Sequence, residues 1–120
     1  MVKTTPIGLM PHHFGEILND PNFEIFYHAP VLILISTTAD IPWAVEDCSL
    51  AAENLMLAAR AARLGTCWIG FAQGWLNTPD GKVLLKLPAA YKPVAPIIVG
   101  HPKAAAPPVP RKQPDIRFVG

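Results

Sequence analysis

The sequence predicts an α/β fold, because apolar strand-like segments alternate with helical segments along the chain. Residues 31–37 and 94–99 read VLILIST and VAPIIV, and each run is apolar and β-branched enough to form a strand covered on both faces. Between them lie a long helical pattern, a short strand-like segment at 66–70 and a second helix with a capping sequence. The predicted order is therefore strand, helix, strand, helix, strand.

Composition favours one small cytoplasmic domain, residues 1–120, that binds a small molecule. The chain is 51% hydrophobic and 16% charged, with a net charge of +1. This balance gives no basis for nucleic-acid binding and favours an uncharged or amphipathic ligand. The low charged fraction indicates that a second subunit covers part of the apolar surface. No apolar run approaches the ~20 residues of a membrane span, so no membrane contact is expected.

Histidine and cysteine patterns predict no metal site. His12 and His13 are adjacent, project differently and have no third ligand nearby, so we interpret them as loop residues within a loop over 1–15. Cys48 and Cys67 are too few and too far apart for a disulfide framework. Both are expected to be buried thiols in a reducing compartment.

The first strand, 31–37, is expected to be central in its sheet. Thr38–Asp40 can cap the long helix that follows, which should run to about Arg63, and Pro42 suits its first turn. Leu and Ala cover most of its circumference, which predicts burial on more than one side. Asp47 and Asn54 fall within the apolar arc and are expected to find hydrogen-bond partners.

The second half of the chain carries clearer boundary signals. A strand over 66–70 should lead through a loop reaching Gly74 to a helix that is capped at Asn77–Asp80 and closed by Pro88. Pro96 lies inside the last strand and indicates an edge or a bulge there. Residues 101–120 form a proline-rich, extended C-terminal segment. Two interpretations of it compete: a disordered tail, or a strand, indicated by the alternation of Ile116, Phe118 and Val119, that pairs with another surface such as that of a second subunit.

Four features follow one another along the chain: the run VEDCSLAAENLMLAARAARLGTCWIGF, the capped helix, VAPIIVGHP and the Arg-Lys beyond it. Together they resemble the nitroreductase family of flavin mononucleotide (FMN) enzymes. The resemblance covers residues 30–112. It implies an α+β sandwich with a mixed sheet flanked by helices, in which the long helix lies in the core of a homodimer. Family members begin with an arginine-rich helix, which is not found here, so the N-terminal part of the family fold is expected to be absent.

The resemblance also implies a cofactor site and a reaction. Backbone groups of Ile69, Gly70 and Phe71 would contact the flavin ring, and Arg111 and Lys112 would hold its phosphate. The enzyme would transfer hydride from NAD(P)H to a nitro, quinone or activated alkene substrate without a catalytic side chain. Aromatic side chains would line the space over the ring; the candidates are Trp43, Phe71 and Trp75.

Two alternatives compete with this function. A non-catalytic fragment or dimerisation domain would bind no flavin, whereas a flavin-storage or ligand-sensing protein would bind FMN without oxidising NAD(P)H. Arg63 stands where the family usually has glycine at the end of the long helix. A left-handed arginine there would cost about 1 kcal/mol, so we expect this turn to be rearranged.

Overall fold

The computed structural model describes residues 20–38 and 40–120, in which three strands form one sheet. The strands are β1 (Val31–Thr37), β2 (Gly65–Trp68) and β3 (Lys92–Gly100). Their order is β1-β3-β2, and both ladders are antiparallel. The α/β fold is confirmed, with antiparallel ladders where a mixed sheet was expected. The prediction that the first strand is central was wrong for this sheet: an apolar run does not say which strand has two neighbours, and β3 takes the middle.

Three helices flank the sheet: α1 (Ala44–Ala61), α2 (Ala72–Leu76) and α3 (Pro79–Leu84). Helix α1 covers one face of the sheet, where Ala52 packs with Ala95 and Ile97 of β3. Its predicted cap was wrong, because the N-cap residue is Trp43 and its side chain makes no capping hydrogen bond. Asp40 instead pairs with Lys92 at the start of β3, with 3.0 Å between the carboxylate and the ammonium nitrogen.

Within this chain, α1 is buried along one side only. Ala44, Cys48 and Ala52 are its buried residues. Leucines on other sides of the helix are exposed, and so are Asp47 and Asn54, whose side chains have no hydrogen-bond partner in the part of the chain that the structure describes. The expectation of burial on several sides is therefore not met by residues 20–38 and 40–120.

The turn after α1 keeps a left-handed residue, so the expected rearrangement at Arg63 is not observed. Arg63 has φ 61°. The Leu64 amide donates to the Ala59 carbonyl at 2.9 Å, a bond typical of a helix that ends in a left-handed residue. This turn delivers the chain directly into β2.

The opposite face of the sheet carries α2 and the residues that precede β1. Ile69, Ala72 and Leu76 form a second buried cluster, against which Phe26 and Ile98 pack. Helix α2 was expected to be loop, because five residues are too short to show helical periodicity.

The predicted cap of α3 is confirmed. The Thr78 hydroxyl accepts from the Gly81 amide at 3.1 Å and donates to the Trp75 carbonyl at 2.6 Å. Pro79 stands in the first turn, as expected, and the helix ends at Leu84, before the predicted stop at Pro88. Thr78 thus fixes the step from α2 to α3.

Strand β3 is central although it contains two prolines. It has an irregularity at Val94, since Ile35 lies opposite Ala95 but Ser36 lies opposite Pro93. Pro96 is neither on an edge strand nor at this bulge, so the sequence-based interpretation was wrong. The ladder between β2 and β3 ends at the pair Trp68 and Ile97, so Pro96 lies directly beyond the last pair and interrupts none.

Residues 101–120 are exposed throughout, although Pro102 lies beside Gly65 at the start of β2. The chain has a radius of gyration of 16.8 Å, whereas about 14 Å is typical of a compact domain of this length. The segment contains no regular secondary structure, so the strand predicted around Phe118 is not formed by residues 101–120 here. Among the described residues, no helix is long and apolar enough to cross a bilayer.

Candidate functional site

At Ile69 the chain leaves β2 and turns away from the sheet. The buried Ile69 donates its amide to the Pro96 carbonyl at 2.8 Å. The Ala72 amide donates to the Ile69 carbonyl at 3.1 Å, and the Gln73 amide donates to the Gly70 carbonyl at 3.2 Å. These bonds close a turn that leads directly into α2 and leave Gly70 on the surface at its first corner.

Gly70 presents a bare backbone on an open surface. No heavy atom lies within 4 Å of the position that its Cβ would take, and its φ is not positive. Its amide has no acceptor among residues 20–38 and 40–120. Neither the backbone conformation nor crowding by these residues requires glycine here. Because the amide is unpaired and no side chain stands beside it, a ligand could approach this N–H donor closely.

The other two residues of the predicted ring contact are placed differently. The Ile69 amide is used by the sheet, so Ile69 could donate to a ligand only if its bond to Pro96 were broken. Phe71 is half-buried, and its ring centroid lies 6.2 Å from that of Phe23. The structure thus brings the three predicted residues together on one turn, where Gly70 is the one that combines exposure with an unpaired amide.

Of the three aromatic residues predicted to line the ring, Phe71 and Trp75 lie close to this turn in the chain, and Trp43 lies beside α1. Phe71 stands before α2 and Trp75 lies within it, with 41% of its surface exposed. Trp43 precedes α1, which covers the other face of the sheet, and is 62% exposed. Phe71 and Trp75 are therefore better placed than Trp43 to contact a ring held at Gly70.

A cavity of about 280 Å³ lies at the same end of the sheet. The Asp40–Lys92 pair, Gln73 and Asn77 are among its polar lining residues. The Asn77 side-chain amide donates to the Gln73 carbonyl at 2.8 Å and to the Pro93 carbonyl at 2.9 Å, which ties α2 to the start of β3. Sequence reasoning read Asn77 only as part of a capping sequence and missed this role.

Arg111 and Lys112 lie in the extended segment. Both are exposed, and no ion pair or hydrogen bond joins either one to the Gly70 turn or to a described carboxylate. The ion pair within this segment joins Arg117 to Asp115 at 3.4 Å. The structure therefore shows no bonded contact between the predicted phosphate ligands and the predicted ring contacts.

The two cysteines are unpaired and differ in environment. Cys48 is buried on α1, and its burial, reinforced by the nearby Asp47 carboxylate, raises the pKa of the thiol. Cys67 is exposed, so the prediction that both thiols are buried was wrong for this residue. In the described residues no three His, Cys, Asp or Glu side chains are grouped to hold a metal ion; His12 and His13 lie outside those residues.

A larger cavity, of about 430 Å³, opens at the opposite end of the sheet. It lies where β2 begins and β3 ends, and His28, Cys67 and His101 are among its lining residues. Three of the four residues of β2, Gly65, Thr66 and Cys67, line it, but none of residues 69–73 does. It is therefore not part of the Gly70 site.

Comparisons with known proteins agree on one family. The sequence model of the nitroreductase family matches residues 3–101. A Methanothermobacter thermautotrophicus protein whose assigned name is NADH dehydrogenase/NAD(P)H nitroreductase is 31% identical over 96 residues, covering 76% of this chain and 46% of that protein. The chain thus spans about half the length of this curated relative.

Solved structures give the same result. A Bacteroides fragilis nitroreductase with bound FMN superposes with a TM-score of 0.78 at 26% identity, covering 91% of this chain and 61% of that one. A Desulfitobacterium hafniense nitroreductase with bound FMN superposes with a TM-score of 0.71 at 20% identity, covering 91% and 60%. The second similarity concerns the fold alone.

Proposed function

The chain belongs to the nitroreductase family, and we propose that it acts as an FMN-dependent oxidoreductase that transfers hydride from NAD(P)H to a nitro, quinone or activated alkene acceptor. The observation that carries this proposal is the exposed Gly70 with its unpaired amide. In such a reaction NAD(P)H loses a hydride and becomes NAD(P)⁺, and the acceptor gains that hydride's two electrons and hydrogen together with one proton from solvent. The two unpaired cysteines suit a reducing, cytoplasmic location.

The Gly70 turn fits one edge of a flavin ring. Because glycine has no side chain to block the approach, its N–H donor can come close to a ring nitrogen. FMN, when bound, supplies the two-electron redox chemistry, so no nucleophilic side chain is required. The protein would orient the ring through Gly70 and exclude water from it with Phe71 and Trp75.

For the phosphate we propose Arg111 and Lys112. The arginine fork matches a phosphate with two parallel hydrogen bonds, and the lysine adds a second positive charge. Neither cation is occupied by a carboxylate among the described residues. Since the segment that carries them is exposed, it is free to lie along a bound cofactor. This part of the proposal predicts that flavin lacking the phosphate binds more weakly to the chain than FMN does.

We further propose that two copies of the chain form a homodimer through α1. Trp43, Leu50 and Leu57 are spaced seven residues apart, which places them on one line along the helix. They are 62%, 68% and 60% exposed. An apolar line of this kind is self-complementary about a two-fold axis, so a second copy can bury it and leave both sheets on the outside.

The test of the flavin site compares two glycines. Gly70 and Gly74 are both exposed, lack positive φ and have no atom within 4 Å of a new Cβ. Gly70→Val should weaken FMN binding about a hundredfold, because the side chain blocks the approach to the amide, and the control Gly74→Val should change it less than threefold. Equal FMN affinity in the two variants would contradict the site, and no FMN binding by the wild-type chain would favour the non-catalytic alternative. FMN binding without NAD(P)H oxidation would favour storage or sensing.

A further inference from the structure

Pro96 occupies a position where the sheet would ordinarily make two hydrogen bonds to β2. In an antiparallel ladder, one class of opposed residues exchanges both N–H···O bonds. Trp68 lies opposite Ile97, so Ile69 lies opposite Pro96, and the Ile69 amide does donate to the Pro96 carbonyl at 2.8 Å. The reciprocal bond, to the Ile69 carbonyl, needs an amide hydrogen that proline lacks. The ladder therefore stops here for a covalent reason.

The Ile69 carbonyl, released from the sheet, is used to start the turn. It accepts from the Ala72 amide at 3.1 Å, and Phe71 between them has φ −69° and ψ −18°. The Ile69 carbonyl and the Gly70 amide belong to the same planar trans peptide unit and point in opposite directions. Whichever donor holds the Ile69 carbonyl therefore also sets the direction of the Gly70 N–H.

We propose that Pro96 is a positioning residue for the cofactor. Because it withholds an amide from the Ile69 carbonyl, it leaves that carbonyl to Ala72 and thereby sets the direction in which the Gly70 N–H meets the flavin ring. This inference rests on the proposed function, since it assigns a role relative to the same site. Pro96 itself is fully buried in the sheet and would not touch the flavin.

Filling the core does not explain a proline at this position. Any apolar side chain of similar size would occupy the buried space between Leu34 on β1 and the end of β2. What distinguishes proline is the missing donor. An ordinary residue at position 96 would offer its N–H to the Ile69 carbonyl, extend β2 by one pair, and compete with Ala72 for the same acceptor.

The experiment replaces Pro96 and, as a matched control, Pro93. Both prolines are fully buried in β3, but Pro93 lies opposite Ser36 and not opposite the end of β2. Pro96→Val should weaken FMN binding about tenfold, leave the melting temperature unchanged or higher, and increase hydrogen exchange at the Ala72 amide in the flavin-free chain. Pro93→Val should change FMN affinity less than twofold. Pro96→Ala provides the same added amide with less volume if the valine variant does not fold.

The outcomes separate this inference from the proposed function. If a folded Pro96 variant keeps Ala72 protected and binds FMN as tightly as the wild type, Pro96 has no positioning role although the flavin site stands. If exchange at Ala72 rises but FMN affinity does not change, the backbone effect is real and its link to the cofactor is wrong. If the wild-type chain binds no FMN, the proposed function and the inference both fail.

Discussion

The apolar line on α1 predicts a specific energetic cost when it is truncated. Leu50 and Leu57 are 68% and 60% exposed in the single chain. Complete burial of a leucine side chain contributes about 1.5–3 kcal/mol, so covering the exposed part of each contributes about 1–2 kcal/mol. In a symmetric dimer each leucine occurs twice. The double variant Leu50→Ala, Leu57→Ala should therefore lose about 4–8 kcal/mol of association free energy.

This loss is measurable by sedimentation equilibrium over a range of protein concentrations. Since about 1.4 kcal/mol corresponds to a tenfold change in dissociation constant, dimerisation should weaken about a thousandfold or more. The folded chain should be retained, because alanine favours helix and neither leucine is buried within it. Leu84→Ala is a suitable control, since Leu84 is a helical leucine with 67% exposure outside α1. A double variant that dimerises as tightly as the wild type, or a wild-type chain that is monomeric throughout, would refute the α1 interface.

Two further predictions concern packing and thiol chemistry. A Cβ on Gly81 would meet the Trp75 carbonyl oxygen, so Gly81→Ala should lower the free energy of unfolding, measured by urea titration, by about 1–3 kcal/mol. The control Gly74→Ala should be neutral or stabilising by up to about 1 kcal/mol. Equal effects of the two substitutions would contradict the packing of α3 on α2. The raised pKa of Cys48 means that the folded chain holds this proton more tightly than the unfolded chain, so the stability it contributes is present below the ordinary thiol pKa and is lost as the pH rises past it. In denaturation curves measured across the alkaline range, Cys48→Ala should reduce the loss of unfolding free energy with rising pH, and Cys67→Ala should not. The opposite pattern would show that the buried thiol has been misassigned.

Much of the fold could be predicted because its signals are local. The β-branched apolar runs at 31–37 and 94–99 predict strands, and the capping sequence around Thr78 predicts the start of α3. The position of β1 at an edge could not be predicted, because a run of apolar residues reports burial and not the number of neighbouring strands. Helix α2 was missed because five residues hardly exceed one helical turn.

The candidate site, like the fold, could be predicted only where its signals are local. Gly70 could be singled out from the sequence, since a glycine that ends a strand suggests a close backbone approach. That its amide is unpaired while the Ile69 amide is not depends on the register between β2 and β3, which is a long-range property. Pro96 illustrates the limit most clearly: proline in a strand signals an edge or a bulge, but only the unequal lengths of two neighbouring strands reveal why it can stand in the centre.

The most direct test of the flavin assignment is to titrate the ¹⁵N-labelled chain with FMN and follow the Gly70 amide resonance by NMR. The Gly70 signal should move downfield and saturate with FMN concentration, with a larger displacement than that of Gly74, because its N–H gains an acceptor that it lacks among the described residues. A Gly70 resonance that does not move at saturating FMN would contradict the assignment of this turn as the flavin contact.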